Sequence, residues 1–104
     1  MSEYEAKIET PRVDFDPVLF AGVQRGALLL DQKCPDWAQK INIDALKIRD
    51  CYCCILGQLY RNYMLGKTAL NIAVGTSIDY GFGALEKDVL KVEKMWIKEI
   101  QARL

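Results

Sequence analysis

Residues 16–35 read DPVLFAGVQRGALLLDQKCP, and this stretch decides the fold. Asp16 is a good helix N-cap, because its carboxylate accepts from N–H groups that a first helical turn leaves unpaired. Pro17 follows at the first helical position, where its missing N–H costs nothing and its fixed φ suits a helix. Leu19, Val23, Gly26 and Leu30 then share one face at helical spacing. Pro35 cannot continue the hydrogen-bond ladder, so the pattern predicts a helix from Asp16-Pro17 to about Lys33. Phe20, Leu28 and Leu29 lie on other faces, so this helix is expected to be apolar almost all round and well buried. Gly22 and Gly26, four apart, let another backbone approach closely; packing within the fold is expected ahead of a dimer contact.

Working outward, PDWAQKI (35–41) predicts one or two turns anchored by Trp37. INIDALKIRD (41–50) fits extended chain or a short helix after Asp44 equally well. Asp50 reads as a second N-cap, and CYCCILGQLYRNYML (51–65) as a central helix of about four turns. Tyr52, Ile55, Leu56, Leu59 and Tyr63 share one face of it, and Gly66 stands where a C′ glycine stops a helix. KTALNIAV (67–74) reads as a further short helix, and GTSIDYGFG (75–83) as a loop.

GALEKDVLKVEKMWIKEIQARL (83–104) is the clearest amphipathic pattern. Leu85, Val89, Val92, Trp96 and Ile100 cluster on a helical wheel, and Leu90, Ile97 and Leu104 widen the arc. Lys87, Lys91, Lys94 and Lys98 form a stripe opposite, read first as a solvated face and second as a patch for an acidic partner. Upstream, Tyr4, Ile8 and Val13 are scattered around Pro11, so residues 1–14 are expected to form a loosely structured N-terminal arm. The expected fold is therefore all-α: one helical domain over 15–104, a small bundle of three main helices with short helical turns.

The bulk composition narrows the function. A chain of 104 residues, 51% hydrophobic and 27% charged, is of a size and composition to bury one core without metal or disulfide staples. Lys+Arg and Asp+Glu balance at 14 each, which argues against nucleic-acid binding through a global field. A neutral chain also resists association poorly, which suits life in a complex or oligomer. There is no histidine, so the commonest general base and the commonest metal ligand are missing. The polar start, MSEYEAKIETPR, lacks the apolar core of a signal peptide, and no apolar run reaches a membrane-spanning length. A cytoplasmic protein with reduced cysteines is expected.

Three of the four cysteines fall in DCYCCILGQLY (50–60). Cys51 and Cys54 form a C-x-x-C at an expected helix start; Cys51 and Cys53 fall in the first turn, where the backbone favours a thiolate, and residues three apart come within disulfide reach. No strand precedes it, so a thioredoxin-like setting is not indicated. As zinc ligands the pair would supply half a tetrahedral site, with Cys34, Cys53 or carboxylates completing it, most readily across a dimer. Packing of free cysteines as small hydrophobes is the leading reading, with metal binding and redox chemistry as alternatives.

Two further patterns are discounted. Gly66-Lys67-Thr68 ends like a phosphate-binding loop, but Arg61 occupies the position of that loop's first glycine. Asp14 with Asp16, or Asp79 with Glu86, have no spacing that sets one pKa apart from the other, so no acid–base role is assigned.

One resemblance emerges. Leu29-Leu30-Asp31, Lys33, Pro35, Trp37, Ile43-Asp44, Leu46, Cys51, Cys54 through Tyr60, Tyr80-Gly81-Phe82 and Trp96 follow a common order. Over residues 27–97 the chain resembles a family of small proteins encoded by bacteriophages of actinobacteria, most specifically at CILGQLY (54–60). It departs at Arg61, where glycine often follows the tyrosine, and at the extra Cys53. The resemblance implies a phage or prophage origin and a cytoplasmic life in a bacterial host, and no activity.

The expectation is a non-enzymatic interaction protein without a cofactor, binding and in one version inhibiting a host or defence protein. A homodimer is the alternative form of partner. The contact residues expected are Trp96, Ile97, Leu104 and the lysines Lys87, Lys91, Lys94 and Lys98, with a place in the core as the leading reading of Trp96. The alternative is a zinc-binding or redox-responsive protein using Cys51 and Cys54 with Cys53 or Cys34.

Overall fold

The computed structural model describes residues 16–73 and 75–104; the expected arm over 1–14 lies outside them, as does Val74 at the end of the expected helix 67–74. Helix α1 runs Pro17–Lys33, as the capping signals indicate. Asp16 Oδ1 accepts from Val18 N at 3.0 Å and Leu19 N at 3.1 Å, and Cys34 caps the far end. Single 3-10 turns follow at Trp37–Lys40 and Ile43–Ala45. Helices α2 (Ile55–Tyr60) and α3 (Tyr63–Ala69) come next, then 3-10 turns at Ser77–Tyr80 and Glu86–Asp88, and α4 (Val89–Ala102) closes the chain. No strand occurs among the described residues, so the fold is all-α.

The central helix expected over 51–65 is not continuous. Residues 51–53 form a turn, Cys54 caps α2, and the chain breaks at Arg61, where φ is +84°. Asn62 starts α3 by accepting from Leu65 N at 2.8 Å. Gly66 is inside α3 rather than beyond a helix end. The break has a packing reason. In a straight helix Leu56 and Gly66 would stand ten residues, about 15 Å, apart. Here a Cβ on Gly66 would lie 2.7 Å from Leu56 Cβ, so α3 folds back against α2 at a residue without a side chain. The segment 75–83, expected as loop, contains the 3-10 turn Ser77–Tyr80.

That turn explains the glycines of α1. A Cβ on Gly26 would lie 2.0 Å from the Tyr80 carbonyl oxygen, and one on Gly22 3.2 Å from that of Asp79. The Gly22/Gly26 face therefore serves packing within the chain. α1 is less enclosed than expected: Val23, Ala27 and Leu30 are buried, while Val18 and Leu28 stay more than half exposed.

The core lies where α1, α4 and the connecting turns meet. Trp37, Trp96, Phe82, Leu30, Ile55, Leu56 and Ile100 are its largest fully buried side chains. Trp96 donates from Nε1 to the Gly81 carbonyl at 2.6 Å, so its one polar group is satisfied inside. Phe82 stacks on Trp96 with ring centroids 5.5 Å apart. Gln24 of α1 is hydrogen-bonded to Glu99 of α4, and Glu93 accepts from Ile48 N at 2.9 Å. These contacts clamp α4 onto both α1 and the loop that leads to the cysteines.

Candidate functional site

Two features are candidates: a cleft beside the cysteines and the outer face of α4. The cleft is built on the turn 50–54. Cys54 N donates to the Asp50 carbonyl at 3.1 Å, closing one helical turn. The Asp50 carboxylate accepts from Tyr52 N at 2.8 Å and Cys53 N at 2.9 Å. These two backbone donors hold its carboxyl below the ordinary carboxylate range. Asp50 thus acts as a cap, but of a single turn rather than of a long helix. Cys51 O accepts from Tyr63 N at 2.9 Å, and a Cβ on Gly57 would lie 2.4 Å from that same oxygen. The turn is therefore pinned to the starts of both α2 and α3.

Ile48, Arg49, Asp50, Cys51, Cys54, Tyr63, Phe82, Gly83 and Ala84 line the cleft, which encloses about 230 Å³. Cys51 and Cys54 both face it, Cys51 exposed at the rim and Cys54 buried. Cys54 Sγ accepts from Gly57 N at 3.3 Å, the N-capping bond of α2. Burial pushes the Cys54 thiol up, against the lowering effect of the Gly57 N–H. Tyr63 reaches the cleft with its hydroxyl hydrogen-bonded to that of Ser77.

The other two cysteines are placed elsewhere. Cys53 is half-buried beside Asp50; partial desolvation raises its thiol pKa, and the Asp50 charge adds to this. Its carbonyl accepts from Lys47 N and Gln58 Nε2. Cys34 caps α1 and lies against Tyr60, whose phenol is raised by burial and by the Cys34 thiol. Among the described residues no three of His, Cys, Asp and Glu come together in a group that could hold a metal ion.

On α4, Trp96 is fully buried rather than presented to a partner. A residue inside the core is not an anchor, so Trp96 follows its leading reading as a core residue and drops out of the expected contacts. Ile97 is half-buried, and Leu104 is 72% exposed. Leu90, which the sequence reading assigned only to the apolar arc, is 70% exposed. Leu90, Ile97 and Leu104 recur every seven residues, and at ~100° per residue they form one line along the helix. The turn continues past Ala102 through Arg103 N to Ile100 O and Leu104 N to Gln101 O, which keeps Leu104 on that line. Lys94, Lys98 and Lys91 follow on the adjacent side, and Lys87 precedes them in the 3-10 turn. Lys87, Lys94 and Lys98 are exposed, Lys91 is half-buried, and none is ion-paired among the described residues. The lysine row thus stands opposite the buried face of Val92, Trp96 and Ile100 and borders the exposed apolar line.

One polar cluster has almost no signature in the sequence. Arg103 pairs with Asp31 at 2.8 Å and Glu99 at 2.9 Å and sits 5.4 Å over the Trp37 ring. Only the Glu99–Arg103 spacing, four apart on a helix, was open to reading beforehand. Arg103 hydrogen-bonds to Asp31 and holds its carboxyl below the usual value.

No helix among the described residues is long and apolar enough to cross a membrane. Comparison with protein-family models, curated proteins and solved structures returns no match to this chain.

Proposed function

We propose that the protein works by binding another protein through the outer face of α4, without catalysing a reaction of its own. The observation that carries this reading is the line Leu90–Ile97–Leu104, with two of its three members about 70% exposed, beside four lysines that have no ion-pair partner among the described residues. An apolar line at helical spacing suits a helix laid along α4. Burial of the two leucines would supply most of the binding free energy, and the lysines would set orientation and on-rate. The matching partner presents an apolar seam with an acidic flank. An antiparallel second copy would set one lysine row beside the other, which disfavours that form of homodimer. The resemblance to actinobacteriophage proteins adds a setting: the cytoplasm of a bacterial host, with a host or defence protein as partner and inhibition by occupying its surface.

The test compares tagged wild-type protein with Leu90→Glu/Leu104→Glu as bait in the host. Both side chains stand in solvent, so the variant should fold like the wild type. The reading expects a protein retained by the wild type and lost with the variant. Identical sets of retained proteins would contradict it.

A further inference from the structure

The cleft beside Cys51 has a use that partner binding on α4 does not require. Two cysteines line one concavity, one exposed and one buried, on a turn held by the backbone bonds Cys54 N to Asp50 O, Tyr63 N to Cys51 O and Lys47 N to Cys53 O. The Asp50–Cys54 hydrogen bond gives the turn helical form, which brings residues 51 and 54 to the same side. In such a turn the Cα separation falls within the range that a disulfide spans. Ile48, Phe82 and Ala84 supply an apolar wall, and Arg49 and Asp50 put one charge of each sign in the lining.

We propose that Cys51 and Cys54 form a thiol–disulfide exchange site for a low-molecular-weight disulfide. The Cys51 thiolate attacks one sulfur of the disulfide RSSR, forming Cys51–S–S–R and releasing RS⁻, which takes up a proton. The Cys54 thiol gives its proton to water and attacks Cys51 Sγ. The Cys51–Cys54 bond forms, and the second RS⁻ leaves and is protonated. Two protein thiols are oxidised and RSSR is reduced to two RSH. The order follows from access: Cys51 is at the rim, and Cys54 is buried with its thiol pKa raised by desolvation, so it reacts second. Closure also engages the sulfur that caps α2, so the Gly57 N–H acceptor changes from a thiol to a disulfide sulfur.

The experiment uses the full chain carrying Cys34→Ser and Cys53→Ser, with oxidised glutathione as probe and intact mass as readout. The proposal expects a chain lighter by two hydrogens with no retained glutathione. Adding Cys54→Ser should leave one glutathione trapped on Cys51. Adding Cys51→Ser should slow reaction at Cys54 at least tenfold. The wild type, whose side chains are all native, should show the same internal bond between Cys51 and Cys54 on peptide mapping. A stable glutathione adduct on the chain that keeps both Cys51 and Cys54, no reaction at all, or a bond joining Cys34 or Cys53 in the wild type would each overturn it.

Discussion

Trp37 and Trp96 meet edge to face in the core, with ring centroids 5.7 Å apart and ring planes at 88°. The pair joins the turn after α1 to the middle of α4, and each indole N–H has a partner: the Asp31 carboxylate for Trp37, the Gly81 carbonyl for Trp96. Trp96→Ala should therefore cost about 3–5 kcal/mol. Trp96→Phe should cost about 1–3 kcal/mol, chiefly because the buried Gly81 carbonyl loses its donor. Urea unfolding of the two variants measures both values. A loss below about 0.5 kcal/mol for Trp96→Ala would contradict its place in the core.

Gly26 should not tolerate alanine. Its Cβ would stand 2.0 Å from the Tyr80 carbonyl and 3.1 Å from the Trp96 ring, and the obstacle is backbone. Alanine gains about 1 kcal/mol of helix propensity, which overpacking of about 3 kcal/mol or more outweighs. Gly22→Ala, with its nearest contacts at 3.2 and 3.3 Å, should lose less. Melting temperatures should fall in that order; equal values would contradict the packing of α1 on the turn 77–80.

Arg61 carries the backbone strain of the α2–α3 break, with φ +84° and ψ −38°. Its conformation favours glycine, so Arg61→Gly should stabilise the chain by about 1 kcal/mol. Asn62→Ala removes the cap of α3 and should cost about 1 kcal/mol. A loss of stability for Arg61→Gly would show that the break lies elsewhere.

Asp31 gives a pH dependence with a definite sign. Hydrogen bonding from Arg103 lowers its pKa in the folded state below the ordinary 3.8. A depressed carboxylate adds stability fully above the unfolded value and loses it as pH falls through the folded one. The difference in melting temperature between wild type and Asp31→Asn should be constant near neutrality and should shrink below pH ~3.8. The pair is partly exposed, so its worth at neutral pH is at most about 1 kcal/mol. A difference that grows on acidification would contradict this.

The legibility of the fold follows the range of its signals. α1 was readable because Asp16, Pro17 and Pro35 act within a few residues of the ends they set. Val92, Trp96 and Ile100 were readable as one buried face by period alone. The break at Arg61 was not, because the arginine gives no local sign of a left-handed backbone; its cause is the Leu56–Gly66 contact, which only the folded chain brings about. Asn62 was the available clue, an N-cap residue misplaced in the middle of a supposed helix. At the candidate sites, the C-x-x-C was visible but its cleft was not, since Phe82 and Ala84 come from thirty residues away. On α4 the exposure of Leu90 was not legible, because the wheel places it on the margin of the apolar arc and only the packing of the folded chain decides which margin stays in solvent.

The central claim is that the outer face of α4 is a contact surface. The most direct measurement places a photo-crosslinking residue singly at positions 90, 97 and 104, and at 28 on the outer face of α1 as the control, in protein expressed in its host. The account predicts one common cross-linked protein from 90, 97 and 104 that is absent from 28. The same cross-links from all four positions, or none from the three on α4, would contradict it.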